Sequence, residues 1–320
     1  MVIVSKMKVP KDFDLSKEEI ESLIKEKKEE LSKWEQIGKN SHYIEILTDI
    51  ALLQIELDHF EAAEKNLLVC LKHFEIQRDR LGIAANYGLF GTLNFKRRKY
   101  YDAIENYRKA LEIYRELNQV QEIILCLKGI GNSNIRMNKL DEARDIFLEC
   151  SEISSTHDDI YSFLDCLGSL IRIYEVSQNW DILFELYQKT FEAFEKLSEC
   201  KGMITALFNL GLIKSKMGDL DSSLYFFKKG TNLAIESNYL ELIIKGLGYT
   251  GETLLQQKKI SDAIDQYIKA LHLSLQINSK NSILQIKLIL KSVGITDNEI
   301  NERLTHYKKQ FKEKTQIKFD

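Results

Sequence analysis

Proline is almost missing from this sequence. Pro10 is the only one in 320 residues, where average usage near 5% would supply roughly 16. Glycine stops at 15, so loops that need unusual dihedrals must be short and few. Seven Val and eleven Thr are too few β-branched residues for an extensive sheet. Long apolar runs are absent as well: Leu67 to Leu71 and Ile123 to Leu127 are the longest, far short of the ~20 residues that span a bilayer. Met1 to Val9 opens with four apolar residues but lacks the longer apolar stretch of a signal peptide. Five cysteines, an odd number with no CxxC pair, make no disulfide framework. A net charge of −3 offers nucleic acid no global electrostatic footprint. These absences predict a soluble, cytoplasmic chain in a reducing compartment, with neither membrane nor nucleic acid as its partner.

What remains is 44% hydrophobic and 29% charged, ordinary for a chain that buries a core. It reads as nearly all helix. It also reads as a repeat. Ala63, Ala103, Ala143, Leu183, Ser223 and Ala263 are equivalent residues, each 40 from the next, without one insertion or deletion. Four residues later stand Leu67, Tyr107, Phe147, Tyr187, Phe227 and Tyr267, and three later again Cys70, Ala110, Cys150, Thr190, Gly230 and Ala270. Twelve residues before the first set lie Ala51, Gly91, Gly131, Ile171, Gly211 and Gly251. Antiparallel helices approach closely only where side chains are small. The two small positions therefore mark a helix crossing, and the aromatic at i+4 with the small residue at i+7 shares one face of the second helix.

This pattern resembles the tetratricopeptide repeat family over about residues 41 to 280. The resemblance implies an all-α, right-handed α-solenoid of six helix pairs, with amphipathic capping helices at both ends. Two features depart from the family. Its common unit is about 34 residues, and its helix-ending proline is missing here. The breaks instead use Gly38-Lys39-Asn40, Gln77-Arg78-Asp79, Asn118-Gln119, His157-Asp158-Asp159, Asn238 and Asn278. The expected organisation is a cap over 1–40, six repeats over 41–280, and capping helices with a basic tail over 281–320. Ser16 with Glu19, and Thr296 with Glu299, have capping-box spacing. Asn281 to Lys291 reads as a seventh first helix. The fourth repeat is the odd one, since Ile171 and Leu183 meet where Gly and Ala meet elsewhere, predicting a wider pair and a local bend.

No phosphate loop, dinucleotide fingerprint or nucleophile elbow occurs. The six histidines show neither HxxxH nor HExxH spacing and read as scattered surface residues. Cys70 and Cys150 fill the small packing position, where a thiol acts as a small hydrophobe. No enzyme activity, metal or cofactor is expected, so function falls to surfaces and a protein or peptide partner.

In tetratricopeptide superhelices the first helices line the concave side, where partner peptides usually bind. By helical spacing that stripe carries Glu45, Asp49, Glu56, Lys96, Lys128, Asn132, Arg136, Arg172, Asn209, Lys216, Lys245, Tyr249 and Glu252, acidic near the N-terminus and more basic through the middle. The expected peptide-binding residues are Lys128, Asn132, Arg136, Arg172, Asn209, Lys245 and Tyr249. Lys128-Gly-Ile-Gly-Asn132 resembles the first part of the family's carboxylate clamp. Arg172 fits the next position, while Phe208 and Leu212 stand where the last two donors belong. An anionic segment or C-terminus is the ligand this implies. Gly88, Gly168 and Gly248 share one concave position in alternate repeats. Close packing of adjacent helices is the favoured explanation, and room for a ligand's main chain is the other. Phe95, Phe208 and Tyr249 are candidates for apolar groove pockets. A scaffold for an extended partner segment is the leading reading, and a peptide sensor that changes superhelical pitch is the alternative.

Overall fold

The computed structural model describes residues 15–37 and 40–316, with the side chains of 36, 37 and 310–316 left aside. The break expected at Gly38-Lys39 and the side chains of Lys312 and Lys314 in the expected basic tail fall outside what is described. Helix α1 (Lys17–Ile37) comes first. Paired helices follow: α2 (Ser41–Glu56) with α3 (Phe60–Gln77), α4 (Arg80–Lys96) with α5 (Tyr100–Glu116), and α6 (Val120–Arg136) with α7 (Leu140–Thr156). Then come α8 (Ile160–Ser177) and α9 (Trp180–Lys196), α10 (Cys200–Lys216) and α11 (Leu220–Glu236), and α12 (Leu240–Gln256) and α13 (Ile260–Gln276). The helices end with α14 (Lys280–Ser292) and α15 (Asp297–Gln316). No strand occurs among the described residues.

Helices α2 to α14 stop without proline because each is followed by a residue in the left-handed conformation. From Asp58 through Arg78, Arg98 and Asn118 to Asn278, one such residue recurs every 20 positions, and only Gly218 among them is glycine. The residue that follows does two jobs. His59 donates its N–H to the Gln54 carbonyl (2.8 Å), and its own carbonyl accepts from Ala63 N–H (3.1 Å), so it closes one helix and opens the next. Lys99 and Lys259 repeat the arrangement with Asn94 and Leu254. This is the Schellman closure, which satisfies carbonyls that a helix end would otherwise leave orphaned. A non-glycine residue in that conformation costs on the order of 1 kcal/mol, which the regular packing of the pairs must offset.

The chain divides within α8, between Leu170 and Ile171, into two compact units. In the first, Ile20 and Ile24 of α1 bury against Ile46, Ile50 and Leu53 of α2. The capping box that starts α1 forms as expected, with Ser16 N–H on Glu19 Oε2 (2.6 Å) and Glu19 N–H on Ser16 Oγ (3.2 Å). Farther along, Ala51 and Ile55 of α2 pack on Ala63 and Leu67 of α3 and on Leu93 of α4. The crossing residues behave as their spacing predicts. Ala63, Ala103 and Ala143 are fully buried, and a Cβ at Gly91 or Gly131 would overlap the ring of Tyr107 or Phe147.

In the second unit Ile204 and Phe208 of α10 join Phe227 and Ala234 of α11 and Ile243 of α12. The C-terminal cap is covered in turn: Ile300 and Leu304 of α15 bury with Ile268 and Leu271 of α13 and Leu290 of α14. Each such side chain is worth about 1.5–3 kcal/mol when removed from water. The second capping box also forms, with Thr296 N–H on Glu299 Oε2 at 2.8 Å. His272 departs from the surface reading of the histidines. It is buried edge-on to Tyr307, centroids 5.3 Å apart, because α15 covers that part of α13. In the fourth repeat Leu183 is fully buried and Ile171 nearly so, whereas Tyr187 and Thr190 are only half-buried at positions sealed elsewhere. The Tyr187 hydroxyl donates outward to Glu175 Oε1 (3.4 Å).

Candidate functional site

Within each unit, first helices of successive pairs touch one another: α2 meets α4, α4 meets α6, and α10 meets α12. Their exposed stripe is therefore the inner face of each stack, where the sequence places its candidate residues.

In the first unit that face is electrically paired. Lys96 Nζ lies 2.6 Å from Glu56 Oε2, one repeat away. Lys27 of α1 lies 2.7 Å from Asp49, and Lys128 lies 2.5 Å from Asp165 of α8. The expected drift from acidic to basic is thus largely cancelled between neighbouring helices. Lys128 and Asn132 are half-buried on α6, and Arg136, one turn on, is exposed. These three share a face, with the Lys128 ammonium already engaged.

The second unit carries Arg172, Asn209, Lys245 and Tyr249. Arg172 is exposed on α8, and Asn209 is half-buried on α10. Phe208 does not open to the groove. It is buried, packed at 5.6 Å from Tyr249 and 6.4 Å from Phe227, because Gly230 and Gly246 leave room for its ring. Tyr249 stacks on Phe227 at 4.9 Å, tilted 26°, and Lys245 Nζ sits 5.6 Å from the Tyr249 ring centre, within the range of a cation–π contact. Phe95, in the first unit, packs edge-on against Tyr100.

Lys245 and Tyr249 come together in a groove of about 670 Å³, within the usual range for ligand sites. Gly248 stands between them on the same wall. The floor is Ile244, Tyr267 and Ile286, with Glu252 on the α12 side and Ser282 and Gln285 on the α14 side. Burial, reinforced by the charge of Glu252, pushes the Tyr267 phenol up to about 12, so it is a neutral hydroxyl at physiological pH. The repeat register places Lys245 and Tyr249 on this wall and makes α14 a seventh first helix, and Tyr267 is buried as a repeat aromatic should be; that Tyr267 and α14 also border a groove has no signal in the sequence.

The alternate-repeat glycines also need correcting. A Cβ on Gly88, Gly168 or Gly248 would meet nothing within 4 Å, so close packing does not account for them. The glycines that do pack are on other faces.

The cysteines fit a structural role. Burial pushes the Cys70 thiol up to about 11 and Cys126 to about 12. Cys166 shares a hydrogen bond with Cys150, and this bond and burial raise it further. Among the described residues no group of three or more His, Cys, Asp or Glu side chains is placed to hold a metal ion, and no helix is long and apolar enough to cross a membrane.

The family model of the tetratricopeptide repeat matches residues 82–156. Among solved structures, BtubC (BKLC) from P. vanneervenii aligns with a TM-score of 0.55 and 16% identity, over 68% of this chain and 92% of that one. RapI in its apo form aligns at 0.49 and 14%, over 81% of this chain and 99% of that one. YrrB, described as a tetratricopeptide protein with an unusual peptide-binding site, aligns at 0.42 and 19%, over 67% and 95%. At such identities the likeness to BtubC is one of fold. No curated protein matches the chain. The architecture is a tetratricopeptide-like α-solenoid.

Proposed function

We propose that the chain is a protein–protein interaction scaffold, built of 40-residue tetratricopeptide-like repeats, that holds an extended segment of a partner along its first helices. The observation that carries this is the open glycine position. A glycine inside a helix costs up to about 1 kcal/mol relative to alanine, and Gly88, Gly168 and Gly248 return nothing to packing. A bare backbone wall is what a ligand's main chain can approach closely, and Gly248 opens on a groove of ligand size.

In this reading residues 41–280 are the binding array and the two ends are caps, with five free cysteines supporting a reducing compartment such as the cytoplasm. Lys128, Asn132 and Arg136 on α6 would answer carboxylates of an acidic or C-terminal segment at the first unit, and Arg172 and Asn209 would do so separately at the second. Lys128 would exchange Asp165 for the ligand. No catalytic role is assigned to any residue.

The test is selection of a displayed peptide library on the full chain, followed by calorimetry with the selected peptides on Gly88→Trp, Gly168→Trp and Gly248→Trp. Each indole would fill an open wall position, and at least one variant should lose ten-fold or more in affinity. Binding that all three variants leave unchanged would refute the groove.

A further inference from the structure

The inner stripe of α12 runs through Glu241, Lys245, Gly248, Tyr249 and Glu252, all bordering the groove. Its two carboxylates differ in what explains them. Glu241 stands in the first turn of α12, where the helix dipole favours a negative charge. Glu252 stands toward the other end, four residues before Gln256, where the dipole gives a negative charge no support. It is exposed and has no ion-pair or hydrogen-bond partner among the described residues. The equivalent positions in the other five repeats hold Leu52, Thr92, Asn132, Arg172 and Leu212, none of them acidic. Among the described residues nothing compensates Glu252.

What lies beside it is suited to a long cation. Tyr267 is 2% exposed, yet its ring lines the groove, and its hydroxyl oxygen is a second acceptor near the carboxylate. Ile286 and Ile289 on the α14 side supply an apolar track for an aliphatic stem, the way long basic side chains lie along apolar surface while the head group finds its acceptor. Along α12, Gly248 is about 6 Å from Glu252 at 1.5 Å per residue, so a main chain crossing at the glycine places a side chain of Lys or Arg length at the glutamate.

We propose that the groove between α12 and α14 selects a partner segment by a lysine or arginine side chain, whose head binds Glu252 and Tyr267 while its main chain crosses Gly248. This rests on the groove reading above and adds to it a charge preference opposite in sign to that of the middle repeats.

The experiment uses the full chain and an array of synthetic heptapeptides that present Arg, Lys, Ala or Glu at each position in turn. Wild type should favour peptides with one basic residue. Glu252→Gln should weaken those peptides ten-fold or more, the scale of a lost charge-assisted hydrogen bond, and Glu252→Lys should shift the preference to Glu. Gly248→Trp should abolish binding of both kinds. Far-ultraviolet circular dichroism on each variant reports that the helices are intact, and Glu252 is exposed, so Glu252→Gln has no packing to lose. If Gly248→Trp abolishes binding while both Glu252 variants keep the wild-type preference, the basic-side-chain proposal is overturned and the groove reading stands. If Gly248→Trp and the Glu252 variants all bind as wild type does, the proposal is overturned, and the wider reading falls as well if Gly88→Trp and Gly168→Trp also leave binding unchanged.

Discussion

Two glycines three residues apart on α4 should respond to the same substitution with opposite signs. A Cβ at Gly88 meets nothing within 4 Å, whereas one at Gly91 would lie 2.5 Å from Tyr107 Cδ1 and 2.8 Å from Cγ. Those ring atoms cannot retreat. The other face of the ring is pressed on Gly129, whose own Cβ would lie 2.6 Å from Cε2, and the hydroxyl is hydrogen-bonded to Thr92 Oγ1 at 3.1 Å. Gly88→Ala therefore gains only helix propensity, about 0.8 kcal/mol. Gly91→Ala gains the same but overpacks the crossing by roughly 2–3 kcal/mol, the upper part of the usual range because the ring is held on both faces, leaving a net loss of about 1–2 kcal/mol. Both residues lie in the first compact unit, so one urea transition reports both. For an m-value of about 2 kcal/mol/M the midpoint should rise by roughly 0.4 M in Gly88→Ala and fall by roughly 0.5–1 M in Gly91→Ala. Adding Tyr107→Leu should erase most of the Gly91→Ala penalty, since the ring is what the methyl meets. Two shifts of the same sign, or a penalty that survives Tyr107→Leu, would refute the assignment of these glycines to groove and crossing.

Asn86 is 1% exposed, and neither of its amide atoms has a hydrogen-bond partner; its equivalents Cys126, Cys166 and Ala206 are small or weakly polar. Asn86→Ala should raise stability by about 1–2 kcal/mol in chemical denaturation, because an unsatisfied buried amide is removed and a better helix former installed. Gln178 holds a left-handed conformation (φ 52°), so Gln178→Gly should stabilise by about 0.5–1 kcal/mol, read as a higher thermal midpoint. Native thiol labelling with iodoacetamide at pH 8 should modify half-buried Cys200 first. Cys70 and Cys126, raised to about 11 and about 12 by burial, should react only after unfolding, as mass spectrometry of tryptic peptides would report.

How much of this the amino-acid pattern discloses depends on whether a residue's role repeats. Ala63, Ala103, Ala143 and Ala263 face the same neighbour in every pair, so one physical demand is written again and again in the chain and stands out against the rest. The helix ends show the limit. Periodicity in the loops is visible at 40 residues but not at 20, because the left-handed positions inside the six pairs are filled by Asp58, Arg98, Asn138, Gln178, Gly218 and Lys258, a set with no shared chemistry and a single glycine. Geometry imposed by two packed helices overrides the preference for glycine, and a forced conformation leaves no compositional mark.

The groove lies further from the sequence for a related reason. Its wall follows the repeat, and Lys245, Gly248 and Tyr249 can be placed by register alone. Its floor and far side depend on where the array ends. Tyr267 occupies the position of Tyr107 and Phe147 and is buried as they are, yet it also lines the groove. Tyr107 is closed over by Gly91 on one face and Gly129 on the other. Tyr267 has Gly251 on one side only, and at the position of Gly129 the seventh first helix carries Ile289, which lines the groove. The repeat does not fix that position, which holds Leu89, Gly129, Ser169, Asn209, Tyr249 and Ile289 in turn, so a groove there leaves no repeated mark in the sequence. By the same logic, binding chemistry in a solenoid should be sought where the register holds and the residue type breaks it. Glu252 is such a place, an acid without a partner among the described residues, at a position that holds Leu52, Thr92, Asn132, Arg172 and Leu212 in the other repeats.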